Sequence, residues 1–282
     1  MLKFLFALVA LALSIPAGGL LAGLDRKLTA RLQSRIGPPL LQPFYDVLKL
    51  FGKAPCVSNP WLVFCSFVCV TCSALALFLF FMQGDLLLLF FVMTISAVFK
   101  VAGALSIPSP FSNVGAQREL LQMLAYEPLI TLVFVAISAV TGSFMIGDVY
   151  ASETPLLLQL PFLYLALGYA LTIKLGKSPF DISACHHGHQ EIVRGVLTEY
   201  SGPQLALLEL SHWLDTILIL GLCALFWHTS FTGMVILLVI TYLAEILVDN
   251  ITARMTWQWM LKNAFGPTLV LAVFNILWLY VR

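Results

Sequence analysis

Charge is scarce in this chain. Of 282 residues, 10% are Asp, Glu, Lys or Arg, while 60% are apolar, and the mean hydropathy is +0.96. A soluble globular domain carries about 25% charged residues, so that class is excluded and an integral membrane protein is indicated. There is no Gly-rich phosphate cradle and no haem-binding CxxCH, so no redox cofactor is expected within the chain. No Ser-, Gly- or Pro-rich linker and no internal repeat divides it. One polytopic domain over residues 1–282 is the simplest organisation, and with a formal net charge of +1 no nucleic-acid partner is expected.

What is present is a series of apolar runs. A hydrocarbon core of about 30 Å takes about 20 residues of helix. The runs predict an all-α protein with about eight transmembrane helices, near 2–23, 61–82, 86–105, 120–141, 155–176, 204–227, 232–248 and 265–280. An even number of spans places both termini on one side of the membrane. Lys and Arg concentrate in the odd-numbered connections: Arg26, Lys27, Arg31, Arg35, Lys49 and Lys53 in the first, Arg118 in the third, Lys177 and Arg194 in the fifth, Arg254 and Lys262 in the seventh. The positive-inside rule then puts those connections in the cytoplasm and both termini outside, in a multi-pass protein of the cytoplasmic membrane. Only Lys3 precedes the first apolar run, the reverse of a secretory signal.

The first connection, 24–60, contains an amphipathic segment from Pro43 to Lys53. Phe44, Val47, Leu48 and Phe51 share one helical face against Asp46, Lys49 and Lys53, the pattern of a helix lying at the cytoplasmic membrane surface. An ordinary basic loop that only fixes topology is the alternative. Cys65, Cys69 and Cys72 recur on one face of the second span, where they read as small interface residues rather than cluster ligands.

Ionisable residues inside the spans carry more information. A charge at the bilayer centre costs about 2.5–3.5 kcal/mol on insertion scales, so each needs a partner, a hydrated cavity or a proton. Glu127, Glu209, His212, Asp215, Glu245 and Asp249 are the candidates for an ion path, with Glu209, His212 and Asp215 in successive turns along one side of a helix. A buried group bonded to a neighbouring helix is the alternative for any one of them. A second polar concentration is the partner-facing connection 177–203, KSPFDISACHHGHQEIVRGVLTEYSGP. Its Cys185, His186, His187 and His189 have the ligand types for zinc or nickel. They are too crowded for good coordination geometry, so docking or proton relay is favoured over metal.

The segments DRK, RLQSRIGPP and LLQPFYDVLKLFGK, then SNVGAQRELLQMLAYEP, SPFDI and QEIVRGVLTEYSGP, resemble the complex I subunit that seats the peripheral arm, subunit 1 of NADH dehydrogenase. The resemblance runs from about Leu20 to about Trp213. Departures narrow it: SACHHGHQ replaces an acid-rich run after PFDI, the stretch from Gly37 to Leu41 is shorter, and the family glutamate of the following helix falls on His212. These are similar to the energy-converting nickel–iron hydrogenases of the Ech and carbon-monoxide-induced types.

The resemblance implies a subunit of an oxidoreductase that moves H+ or Na+ and holds no redox cofactor itself. Partners would be soluble hydrogenase large and small subunits and an iron–sulfur subunit on the cytoplasmic side, carrying 4Fe–4S clusters and a nickel–iron site, together with an antiporter-like membrane subunit. Ferredoxin-linked proton reduction or hydrogen oxidation would drive transport. Asp181, His186, His187, His189, Glu191 and Glu199 would face the arm, with Arg35, Arg118 and Arg194 holding loops through carboxylate pairing. The rival readings are a quinone-reducing complex I subunit, a passive hydrogenase anchor and a secondary transporter.

Overall fold

A computed structural model describes residues 2–56, 59–184 and 194–281. The chain is an all-α membrane protein. Its helices are α1 Leu2–Leu32, α2 Gln42–Phe51, α3 Pro60–Phe81, α4 Leu86–Leu105, α5 Pro110–Thr141, α6 Ile146–Ala151, α7 Leu156–Gln159, α8 Pro161–Lys174, α9 Gly202–Leu225, α10 Phe231–Ile251, α11 Trp257–Asn263 and α12 Leu269–Val281. A 3-10 turn at Gly195–Leu197 precedes α9, and a π turn at Ala264–Thr268 joins α11 to α12 around Pro267. Among the described residues, seven continuous helical stretches are long and apolar enough to cross a bilayer. The fifth expected span, near 155–176, differs: Leu160 leaves helical geometry and Pro161 restarts the chain, so the run from Pro155 divides into four-residue α7 and 14-residue α8. At about 1.5 Å per residue, α8 covers about 21 Å.

Two helices are longer than their apolar runs. α1 continues to Leu32 and carries Asp25, Arg26, Lys27 and Arg31 as helical residues. α5 begins at Pro110, favoured in a first turn where its missing N–H costs nothing, and so takes in Arg118 and Glu119. At the start of α4, Asp85 Oδ1 accepts from the amides of Leu87 at 2.7 Å and Leu88 at 3.3 Å, which satisfies donors that no helical carbonyl can reach.

The chain forms two compact units. The first comprises Met1–Met82, Phe91–Leu120 and Ile182–Leu218; the second comprises Gln83–Phe90, Leu121–Asp181 and Ile219–Arg282.

In the first unit, close backbone approach organises the packing. A Cβ on Gly23 would lie 2.0 Å from the Leu40 carbonyl oxygen, and one on Gly19 would strike the Phe44 ring at 2.5 Å. Only glycine lets the chain after α1 fold back this tightly. The amphipathic helix forms as expected, but its packed face is narrower than the sequence pattern suggested. Phe44, Val47 and Leu50 pack with Ala206 and Trp213, Phe44 meeting Trp213 edge to face at 5.3 Å. Leu48 and Phe51 stay 66% and 44% exposed. The helix contacts protein on one side and presents a second apolar edge outward, as an interfacial helix does.

In the second unit, α8 packs against α10, α12 and the π turn. Asn275 of α12 is 1% exposed, and its Oδ1 accepts from Phe162 N at 2.9 Å and Leu163 N at 3.1 Å. Its Nδ2 donates to Gln159 O at 3.1 Å. One amide side chain thus bridges the break between α7 and α8, where lipid would leave backbone groups unsatisfied.

Candidate functional site

The first unit contains a charged centre built from α4, α5 and α9. Lys100 Nζ lies 2.5 Å from Glu119 Oε1, with side chains 31% and 12% exposed. Asp215 is half-buried, its Oδ1 enclosed, and its charge also acts on Lys100. Beside them runs a line of small polar groups on α3, α4 and α9. Ser73 Oγ meets Ser96 Oγ at 2.9 Å, Ser96 meets Cys69 Sγ at 3.2 Å, and Cys69 meets Ser211 Oγ at 3.5 Å. Ser96 Oγ donates to Cys69 O at 3.0 Å and Ser211 Oγ to Leu208 O at 2.9 Å, so within this line both hydroxyls serve as acceptors. The ammonium is thus paired with one carboxylate and acted on by the charge of a second.

The motifs of the fifth connection frame this centre. The Tyr200 hydroxyl donates to Lys100 O at 3.2 Å, and it fits because position 103 is glycine: a Cβ there would sit 2.0 Å from the phenol oxygen. Ser201 Oγ accepts from Cys56 N and donates to Cys56 O, both at 3.2 Å, tying the EYSG motif to the end of the first connection. Val196 N donates to Ser183 O at 3.1 Å, and Arg118 Nη1 donates to Ile182 O at 3.4 Å. Gly115 admits the backbone of Gly195 and Val196, the nearest atom being 2.5 Å from where its Cβ would stand. Arg194 adopts a left-handed φ of 64° and is exposed; Glu199 is half-buried.

At the amphipathic helix α2 of the same unit, Arg26 Nη1 lies 2.8 Å from Asp46 Oδ2, Gln42 Nε2 donates to Asp46 Oδ1 at 3.1 Å and Lys49 lies 3.8 Å away. Partial burial pushes the Asp46 carboxyl up, but the Arg26 and Gln42 hydrogen bonds and the two cations outweigh it, and its pKa falls below the ordinary value. Arg35 is exposed and hydrogen-bonds Gln33.

The second unit holds a different polar centre. Glu245 of α10 is buried. It accepts a hydrogen bond from Thr172 of α8 and feels the charges of Lys177 and Asp249. Lys177 Nζ lies 5.2 Å above the Tyr242 ring, and Lys174 Nζ lies 5.2 Å above the Tyr126 ring. The PFD motif is held from several directions: Ser178 N donates to Asp249 Oδ1 at 2.8 Å, Met255 N to Pro179 O at 2.9 Å and Gln122 Nε2 to Phe180 O at 2.5 Å. Arg254 Nε lies 3.5 Å from Asp181 Oδ1. Glu127 is half-buried in α5 with Oε1 enclosed.

The structure thus brings Asp215 to Lys100, and Asp249 to Glu245. Glu209 and Asp215 are half-buried while His212 between them is exposed. Steps of three residues turn a helix by about 300° each, so the triad spans about 120° of α9 with His212 at its middle. Glu119 was missed by sequence reading because it stands next to Arg118 just before the apolar run and looks like loop. Helical extension back to Pro110 was the available signal. Cys185, His186, His187, His189 and Glu191 lie outside the described residues. Among the described residues no group of three or more His, Cys, Asp or Glu is placed to hold a metal ion; Cys65 and Cys69 are buried free thiols.

Residues 3–280 match the family described as NADH dehydrogenase. The chain belongs to that family, in its subunit 1 branch. It is 34% identical to hydrogenase-4 component C of Escherichia coli, over 72% of this chain and 68% of that one. It is 31% identical to formate hydrogenlyase subunit 4 of the same organism, over 71% of this chain and 70% of the relative. Among solved structures, the membrane-bound sulfane sulfur reductase, an archaeal respiratory membrane complex, contains a chain that aligns with a TM-score of 0.89 and 25% identity, over 99% of this chain and 100% of that one. Hydrogenase and respiratory relatives together make this the membrane subunit of a complex I-like oxidoreductase.

Proposed function

We propose that this chain is the membrane subunit of a multisubunit energy-converting nickel–iron hydrogenase. It seats the soluble hydrogenase and iron–sulfur subunits on its cytoplasmic connections and couples ferredoxin-linked proton reduction or hydrogen oxidation to H+ or Na+ movement. The observation that carries the reading is the Lys100–Glu119 pair with Asp215 beside it, inside a chain whose relatives include two hydrogenase subunits. A passive anchor has no need of such groups within its membrane helices. In this reading the odd-numbered connections face the cytoplasm, both termini lie outside, and the ion-path candidates are Glu127, Glu209, His212, Asp215, Glu245 and Asp249. Exposed His212 beside half-buried Glu209 supports an antiporter-like neighbour along α9, since a polar stripe on a spanning helix is costly against lipid.

Affinity purification of the tagged chain with its complex tests this directly. Nickel and iron in stoichiometric amounts, ferredoxin-dependent hydrogen evolution, and ion uptake into proteoliposomes are the expected results. Glutamine or asparagine at Glu127, Glu119 or Asp215 should abolish ion uptake in assembled complexes; unchanged uptake would leave the chain a passive anchor. The likeness to the sulfane sulfur reductase chain favours one second reading, a related complex with a sulfur-reducing partner. A nickel-free complex that reduces sulfane sulfur would establish it.

A further inference from the structure

Two contacts set the depth of α2 against α1. The apolar run of α1 ends at Leu24, and Asp25, Arg26 and Lys27 follow it in the same helix. Arg26 Nη1 lies 2.8 Å from Asp46 Oδ2, so the middle of α2 stands level with the first charged turn of α1. Phe44 reaches back to Gly19, about 10 Å further into the apolar length at the rise of an α-helix. The helix therefore straddles the level at which acyl chains give way to headgroups. Its outward surface is graded to match. Val47 turns inward to Ala206 and Trp213. At about 100° per residue, Phe51 and Leu48 come about 40° and 100° round from it, Tyr45 about 160° and Lys49 about 200°. These four are exposed, and so is Lys53 just past the helix end. Passing round α2 from the protein side, the surface goes from apolar through a phenol to ammonium. Between residues 24 and 60 six cations face two carboxylates, and Arg26 already occupies one of those, Asp46. The patch keeps a surplus of positive charge beside an apolar flank.

We infer that this flank of α2 is a binding surface for an anionic phospholipid of the surrounding leaflet. The acyl chains lie against Leu48 and Phe51, the phosphodiester meets Lys49 and Lys53, and the Tyr45 hydroxyl stands between them at the level of the glycerol. Each alternative occupant matches only part of the surface. An acidic soluble protein suits the ammonium groups but not Leu48 and Phe51 at acyl depth. A zwitterionic lipid suits the apolar flank but brings a cation of its own toward the lysines. The lipid also completes the support of the connection. Protein holds α2 on its inner side through Phe44, Val47 and Leu50, and the backbone of Lys53 and Ala54 rests against Gly202 at the start of α9. The outer side is left to the bilayer. Nothing in this surface depends on the electron donor or the coupling ion, so it stands or falls apart from the hydrogenase reading.

The test is photo-crosslinking in the purified complex, reconstituted in phosphatidylcholine nanodiscs that carry a trace of a phospholipid with a photoactivatable acyl chain. The probe has a glycerol headgroup in one sample and a choline headgroup in the other, and labelled peptides are mapped by mass spectrometry. The yield on residues 41–53 should be at least about fivefold higher for the phosphatidylglycerol probe, the discrimination expected of two lysines at the headgroup level. Lys49→Gln combined with Lys53→Gln should equalise the two yields, and Lys49→Arg combined with Lys53→Arg should keep them apart. These side chains are exposed, so the assembled complex remains available for the comparison. Equal yields in the wild type, or a preference that the glutamine pair leaves unchanged, overturn the inference. Labelling of α2 by neither probe means that protein covers this flank, and overturns it as well.

Discussion

Replacing Glu119 by Gln should destabilise the protein by about 3 kcal/mol, toward the lower end of what breaking a buried ion pair costs. The magnitude follows from the surroundings of Lys100. Its ammonium lies 2.5 Å from Glu119 Oε1, and the two side chains are 31% and 12% exposed. Without Glu119 the positive charge stays enclosed, and the penalty is dominated by that stranded charge. It stays near 3 rather than 5 kcal/mol because Asp215 also acts on Lys100 and offers partial compensation. Lys100→Met is the worse change, since it takes the ammonium away from one paired carboxylate and from the nearby charge of a second. The double variant Lys100→Met with Glu119→Gln should recover most of the loss, because the stranded charge is gone. A double-mutant cycle read by reversible unfolding in mixed micelles measures the coupling, expected to be about 2 kcal/mol or more. A Glu119→Gln cost below about 1 kcal/mol, or strictly additive single effects, would refute the reasoning: the pair would then behave like a solvated surface bridge.

Asn275→Leu should cost about 2–3 kcal/mol in the same assay and loosen the start of α8, because it strands the amides of Phe162 and Leu163 together with Gln159 O. Gly23→Ala should impair assembly or lower stability by about 1–3 kcal/mol, since its Cβ meets backbone, whereas Gly147→Ala, whose nearest neighbour is 3.9 Å away, should be close to neutral on this contact criterion. Asp46→Asn tests a pH dependence. The folded carboxyl titrates below its ordinary value, so its contribution is present above the unfolded pKa and is lost as pH falls through the folded one. Wild type should therefore exceed the variant by less than about 1 kcal/mol at neutral pH, the side chain being 32% exposed, and the two should converge in acid.

The class of fold was legible because the bilayer imposes a length on apolar runs and allows helices to satisfy their own backbone. Interruptions were less legible. Pro161 sits in a run apolar enough to read as one span, and what makes the break tolerable is Asn275, 114 positions further along the chain. The amphipathic helix was visible from its period, but not which part of its apolar face meets protein. That was decided by Gly19 and Gly23, where missing side chains let Phe44 and Leu40 approach α1.

The candidate site divides along the same physical line. Spacing along one helix can show that Glu209, His212 and Asp215 share a side, but burial depends on what packs there. Asp215 acts on Lys100 of α4, while His212 faces outward. Glu119 went unread because an acid beside an arginine at the edge of an apolar run resembles a loop, and only the packed helices show its carboxylate meeting Lys100 of α4. The PFD and EYSG motifs were legible as signatures but not as mechanics. Their backbone groups do much of the holding, through Ser178 N, Pro179 O and Phe180 O. A backbone donor or acceptor has no letter of its own in a sequence. What a motif encodes in such a place is a loop shape, here one that ties Ser178 N to Asp249 and Pro179 O to Met255 N.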